Sequence, residues 1–400
     1  MLSYRDALAR LLAAARPVGK ERVSVDHAAG RVLAEDLVAR APMPAFDHSS
    51  MDGYAVRAAD FEGAGPFELP VVGESSAGGE RPALAPKTAC RIFTGARLPE
   101  GADAVIMQEN VERRGDVIVM REAPRAGAWI RLRGSDLAEG AVAIAQGARM
   151  TPGHAALAAA LDRPFVLVSQ RPVVTILCSG DELRSPGEPG KPGSIAESNG
   201  VFVAAAARQI GAIARVGAYV PDDLDVARAA VVEALRGSDL LVTIGGVSVG
   251  DRDVMRPAFE AAGVTLDFWR VALKPGKPIA VGRAGDTHVL GLPGNPASAS
   301  LTWLLFGAPL VRALQGDPAP LPRRERVVVA GAYERTPGRE EFVRARIEPG
   351  AVPARARILP NQASGAVTSF AEAEVLVVVP ASQGRVEDGS ELEAIRIDAF

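Results

Sequence analysis

Over the first sixteen residues, apolar side chains at Leu8, Leu11, Leu12 and Ala15 fall on one face of a helix, with charges between them. The pattern predicts a helix over 3–16, with Ser3 and Asp6 spaced as a capping box and Pro17 to Gly19 as its stop. Such a stripe has to dock, either on its own domain or on a second subunit. From 21 to 44 short apolar groups alternate with charges and end in Ala41-Pro42-Met43-Pro44, a domain edge. Residues 45–129 are rich in Gly and Pro and carry short β-like runs at 69–73, 89–93, 103–107 and 116–120. In 130–168, Ile130, Leu132, Val142 and Ile144 alternate with other residues before an Ala-rich helical run at 154–161. The stretch 21–44 is too short to fold alone. It is expected to pair with 130–168, leaving 45–129 as an inserted β domain.

Beyond Pro172 the rhythm changes. Strand-like runs at 173–178, 213–220, 239–244, 278–282 and 287–291 alternate with helix-like runs at 199–210, 224–236, 254–262 and 297–313. That alternation implies a mostly parallel sheet with helices on both faces, and ligands in such sheets sit outside the carboxyl ends of the strands. Pro318, Pro320 and Pro322 mark a linker, after which 325–333, 342–347 and 374–380 read as strands with no convincing helix. The expected fold class is α/β plus β in an elongated multidomain chain. Its parts are a terminal helix (1–20), a discontinuous domain (21–44 with 130–168), the insertion (45–129), a three-layer αβα domain (169–318) and a β barrel-like domain (319–400).

Composition narrows the functional classes. Four hundred residues suit about three domains at roughly 150 residues each. A net charge of −3 from 45 basic and 48 acidic side chains, with few aromatics, argues against nucleic acid as a partner. Cys90 and Cys178 have no paired spacing and read as reduced core thiols, and the scattered His27, His48, His154 and His288 do not suggest a zinc or iron site. No apolar run reaches the roughly 18 residues of a membrane span, and Arg5, Asp6 and Arg10 interrupt any signal-peptide core. A soluble, cytoplasmic protein is expected.

The chemistry gathers at strand ends. In DLLVTIGGVSVGDRD (239–253) a strand breaks on Gly245-Gly246 before a helix start that Asp251 or Asp253 can cap. Backbone N–H groups converging there make an anion site, and nearby carboxylates suggest a divalent cation. Asp181 and Glu182 follow strand 173–178, and Asp222 and Asp223 follow strand 213–220 in the same way. Two lysines on the stiff turn Lys274-Pro275-Gly276-Lys277-Pro278 can hold an oxyanion, near a second glycine-proline turn, Leu292-Pro293-Gly294-Asn295-Pro296. No Ser/His/Asp or Cys/His constellation can be assembled, so the pattern points to metal-assisted attack on a phosphoanhydride.

These residues carry a family resemblance. FDHSSMDGYAV (46–56), RIFTGARLPEGADAVIMQE (91–109), IRLRGSD (130–136), SGDEL (179–183), ESNG (197–200), GGVSVGDRD (245–253), KPGKP (274–278) and LPGNP (292–296) stand in order along the whole chain. Together they resemble the molybdopterin molybdenumtransferase family, the MoeA-like enzymes related to the gephyrin E domain. The resemblance implies a homodimer whose αβα domain binds molybdopterin. It also implies a Mg²⁺-dependent reaction that inserts molybdenum from molybdate into adenylylated molybdopterin and releases AMP, with a molybdopterin adenylyltransferase as substrate donor.

By the same resemblance, Asp52, Thr94, Asp136, Glu182, Asp222 and Asp253 are catalytic candidates, and Glu182, Asp223, Asp251 and Asp253 are metal ligands. Gly245, Gly246, Ser248, Gly250, Lys274, Lys277, Pro293, Gly294, Asn295 and Ser298 would bind substrate, with Arg344 of GREEFVR and Ser364 of QASG. Cys178, His48 and Glu197 stand where the family more often has Ser or Thr, Asn, and Asp. Two other readings are a scaffold that has lost catalysis and a CinA-type nucleotide pyrophosphatase on the same fold. The acids argue against the first. The insertion and the barrel-like tail argue against the second.

Overall fold

Strand residues of 173–292 alternate between two hydrophobic clusters, and this alternation builds the central layer. Val174, Ile176, Leu240, Val242, Ile244, Leu290 and Leu292 point into one cluster, while Leu177, Leu241 and Val289 point into the other. The computed structural model describes residues 1–246 and 254–399. Its central sheet runs in the order Ile213–Val216, Val173–Cys178, Leu240–Ile244, Thr287–Leu292, Pro278–Ala284, Thr265–Arg270. The first four strands are parallel, and the last two continue the sheet antiparallel. Helices Leu224–Leu235 and Met255–Ala261 cover one face, and Asn199–Gln209 with the long helix from Pro296 covers the other. Each inward side chain thus has a helix to meet, which is what a sheet buried on both faces requires.

The long helix is continuous from Pro296 to Leu314, with a π turn at Trp303–Gly307. By length and apolar composition it would cross a membrane, contrary to the expectation that no such run exists, but 89% of its apolar window is buried inside the protein. Its apolarity is used by the core. The N-terminal helix Tyr4–Ala13 docks on the same cluster, where Tyr4 meets Phe306 and Phe342 edge-to-face at 5.5 and 5.3 Å. Ser3 caps it by accepting the Asp6 N–H at 3.1 Å.

A closed five-stranded barrel follows. Arg324–Ala330, Glu340–Ile347, Arg355–Ile358, Val375–Val379 and Glu391–Arg396 pair around a ring, closed by the contact of Val375–Val379 with Glu340–Ile347. A short helix, Val367–Glu372, lies in this region, where the pattern gave no convincing helix. One further strand joins the barrel from outside. Leu273–Lys274 lies parallel to the start of Glu340–Ile347.

The chain divides into two compact units, Met1–Glu35, Gly147–Thr151 and Phe165–Phe400 forming one, Asp36–Gln146 and Pro152–Pro164 the other. In the first, Lys20–Ser24 pairs antiparallel with Phe165–Ser169. In the second, Leu37–Val38 pairs with Val142–Ile144, and a six-stranded sheet is built from Gly53–Val56, Phe67–Ser75, Ala89–Ile92, Ala104–Met107, Glu112–Arg114 and Val117–Met120.

Candidate active site

The carboxyl ends of three parallel strands open into a cavity of about 510 Å³. Backbone bonds stitch its floor together. Ser179 N–H donates to Ile244 O at 2.9 Å, Gly245 N–H to Leu292 O at 3.1 Å, and Gly180 N–H to Val220 O at 3.0 Å. Gly245 sits at φ +89°, and a Cβ there would lie 2.5 Å from the Ser179 carbonyl oxygen. Only glycine allows both the turn and the close approach. Asn199, at the start of its helix, donates from Nδ2 to Gly294 O at 2.7 Å and ties that helix to the 292–296 turn.

Seven of the expected residues line this one cavity: Glu182, Asp222, Gly245, Gly246, Pro293, Gly294 and Asn295. Glu182 and Asp222 are exposed at its rim. Asp223 has another task. Its carboxylate accepts the Val226 N–H at 3.0 Å and caps helix Leu224–Leu235. Of this acid pair it is Asp222 that faces the cavity. Ser248, Gly250, Asp251 and Asp253 lie outside the described residues. Among the described residues, no three Asp, Glu, His or Cys side chains gather as a metal cage.

The turn that carries Lys274 and Lys277 packs on the helix that starts at Pro296, itself a cavity-lining residue, but neither lysine lines the cavity. Gly276 of the 274–278 turn, at φ +105°, packs so tightly on this helix that a Cβ would lie 2.5 Å from Thr302 Cγ2. Pro278, the last residue of that turn, lines the cavity, while Lys277 is exposed. Lys274 is half-buried, with Nζ 3.0 Å from Glu341 Oε1. Ser298 is buried in the first helical turn, and the preceding Ala297 N–H donates to Ser364 O at 2.9 Å. Beneath that loop Arg344 is buried, donating to the carbonyls of Asn361 and Ala363 at 3.2 and 3.0 Å. Burial holds its pKa below the usual arginine value, against the opposing pull of Tyr333 and Glu341. Arg344 therefore supports the loop that carries Ser364.

In the other unit Asp52 accepts both the backbone N–H and the hydroxyl of Thr94, each at 2.8 Å. The N–H first, then the hydroxyl, hold the carboxyl below the usual aspartate range. Asp136 pairs with Arg131.

Glu197, Asn199 and Ser179 also line the cavity and were not among the candidates. Glu197, 5% exposed, accepts the Gly200 N–H at 2.6 Å, and its charge adds to the burial that pushes the Cys178 thiol up to about 12. Cys178 is therefore held as the protonated thiol. Asn199 clamps the second turn, and the buried Ser179 hydroxyl finds no partner among the described residues. The signal for the first two was Glu-Ser-Asn at a helix start facing the strand ends.

Against known families, the MoeA N-terminal region (domain I and II) matches residues 2–161, the probable molybdopterin binding domain 175–313, and the MoeA C-terminal region (domain IV) 326–397. Molybdopterin molybdenumtransferase 2 of Mycobacterium tuberculosis is 37% identical, covering 86% of this chain and 87% of its own. The Haemophilus influenzae molybdopterin molybdenumtransferase is 34% identical over 96% of this chain and 95% of its own. The chain belongs to the MoeA family. The crystal structure of the MoeA protein from Pyrococcus horikoshii OT3 matches at a TM-score of 0.87 and 28% identity, covering 99% of this chain and all of that one. The MoeA fold thus extends over both compact units, and the cavity lies within the segment matched as the molybdopterin binding domain.

Proposed function

We propose that this chain is a molybdopterin molybdenumtransferase of molybdenum cofactor biosynthesis. It inserts molybdenum from molybdate into adenylylated molybdopterin, with hydrolysis of the adenylate and release of AMP. One observation supports the reading: Glu182 and Asp222 line one cavity with Pro278, the end of the two-lysine turn, and Pro296, the start of a helix. A phosphoanhydride and a tetrahedral oxyanion, brought together, call for carboxylates and lysines on neighbouring segments.

Mg²⁺ takes one or two carboxylates together with substrate phosphates, so Glu182 and Asp222 suit it as protein donors, with Asp251 and Asp253 as further candidates. When bound, it neutralises charge on the phosphoanhydride oxygens. Lys274 and Lys277 hold the molybdate, with Ser298 and Ser364 at its edge. The turns at 245–246 and 293–295 admit the phosphates close to the backbone. Asp52, Thr94 and Asp136 are further contributors. The acting form is a cytoplasmic homodimer supplied by a molybdopterin adenylyltransferase.

The test is AMP release from adenylylated molybdopterin, followed chromatographically with and without molybdate and Mg²⁺. Release that needs both, and that is lost in Glu182→Ala while bound pterin is retained, is the expected result. Wild-type protein that releases no AMP on molybdate addition refutes the transferase reading. Full turnover by Glu182→Ala refutes the role given to that carboxylate.

A further inference from the structure

The barrel contains a charge cluster of which the reaction as described uses only Lys274. Glu341, only 3% exposed, is the second residue of strand Glu340–Ile347. Its Oε1 accepts the Tyr333 hydroxyl at 2.7 Å and lies 3.0 Å from Lys274 Nζ. Its Oε2 lies 3.1 Å from Arg335 Nε, an ion pair by distance without the alignment of a hydrogen bond. The Arg335 side chain is 1% exposed and spends its other nitrogens on the carbonyls of Thr336, Arg339, Val379 and Pro380. Burial, then the bond to Glu341, raises the Tyr333 pKa and keeps its hydroxyl protonated as a donor.

The charge balance is the informative part. A buried carboxylate persists only when paired, and Arg335 alone meets that requirement. Lys274 is a second cation on the same carboxylate, so the cluster carries a surplus positive charge. That surplus emerges at Lys274, whose side chain is 41% exposed, while the side chains of Arg335 and Glu341 are 1% and 4% exposed. The backbone enforces the same meeting. Lys274 stands opposite Glu341 in the strand register, and Arg339 Nη1 donates to Leu273 O at 3.3 Å. A lysine is a flexible point charge, and fixing its ammonium in advance removes an ordering cost from anion binding.

We propose that Glu341 is a positioning residue for oxyanion recognition: it holds the Lys274 ammonium in place, with Tyr333 steadying the carboxylate, and so sets molybdate affinity without touching the ligand. This rests on the reading of Lys274 as a molybdate-binding residue. In Glu341→Gln the pairing charge is gone, and Arg335 repels the lysine it formerly shared a partner with.

A double-mutant cycle tests it, with the KM for molybdate and kcat measured by AMP release in wild-type, Glu341→Gln, Lys274→Ala and the double variant. Glu341→Gln is expected to raise the KM about tenfold with little change in kcat, and to add less than about twofold in the Lys274→Ala background. Glu341→Asp should recover part of the loss. An equal effect in both backgrounds, or an unchanged KM in Glu341→Gln, overturns the proposal. An unchanged KM in Lys274→Ala overturns the lysine's own role first, and the proposal with it. Should Glu341→Gln fail to fold, Tyr333→Phe enters the same cycle. A rise of about threefold that vanishes without Lys274 supports the proposal, and an additive one refutes it.

Discussion

The two ends of the parallel sheet treat their polar groups in opposite ways. At the amino end, Asp239 accepts the Val173 N–H at 2.7 Å and its carbonyl accepts the His288 N–H at 3.0 Å. The Ser238 and Thr175 hydroxyls lie 2.6 Å apart, and Thr287 donates to Ser238 O at 2.8 Å. At the carboxyl end the buried hydroxyl of the cavity-lining Ser179 has no partner among the described residues, and Glu182 and Asp222 stand exposed at the cavity rim. Buried polar atoms normally find partners, so leaving some unmet costs stability unless a ligand meets them. One end closes the structure; the other opens into the cavity.

Substitutions at the two ends should therefore separate activity from stability. The largest effect is expected at the carboxyl end. Glu182→Gln should lower kcat about 100-fold, a barrier rise of about 3 kcal/mol, with the melting temperature nearly unchanged. Steady-state AMP release beside a thermal melt checks it; a large drop in Tm would mean that this end is built for stability too. Gly245→Ala comes next. At φ +89°, with the Ser179 carbonyl oxygen 2.5 Å from the new Cβ, it should cost about 2 kcal/mol in urea unfolding and should also reduce turnover by shifting the cavity floor. At the amino end, Asp239→Ala should cost about 1–2 kcal/mol by orphaning the Val173 N–H, with specific activity per folded molecule unchanged. Lost activity there would erase the distinction between the ends.

The same contrast explains what could be read from residues alone. Strands buried on both faces announce themselves as apolar runs, so Val173–Cys178, Leu240–Ile244 and Thr287–Leu292 were legible, and the glycine turns after them located the cavity. Edge strand Thr265–Arg270 was missed, since Thr265, Asp267 and Arg270 are exposed and its pattern is broken. Arg355–Ile358 and Glu391–Arg396 were missed for a similar reason, because charges fill their outward positions. Asp222 and Asp223 could not be told apart in sequence. Which one caps and which one faces the cavity depends on the turn into the helix. Glu341 hid in GREEFVR as one more charge in a polar strand, because its burial depends on barrel closure by residues 375–379.

The smallest expected effect lies at the amino end, and only pH exposes it. His288 is 2% exposed, and its pKa is pushed down to about 4, first by burial and then by Arg283, with Asp286 opposing. Arg10 and Asp267 also face the cleft in which it lies. The folded pKa is below the unfolded one, so between about 4 and 6.5 the unfolded chain binds more protons. Stability from this group is therefore complete above pH 6.5 and is lost as pH falls toward 4. Melts of wild-type and His288→Gln across this range should converge or cross as pH drops, with the variant gaining about 1–2 °C on wild-type by pH 6. Parallel curves would show that His288 charges without penalty. The amino end would then be more open to water than its hydrogen bonds suggest.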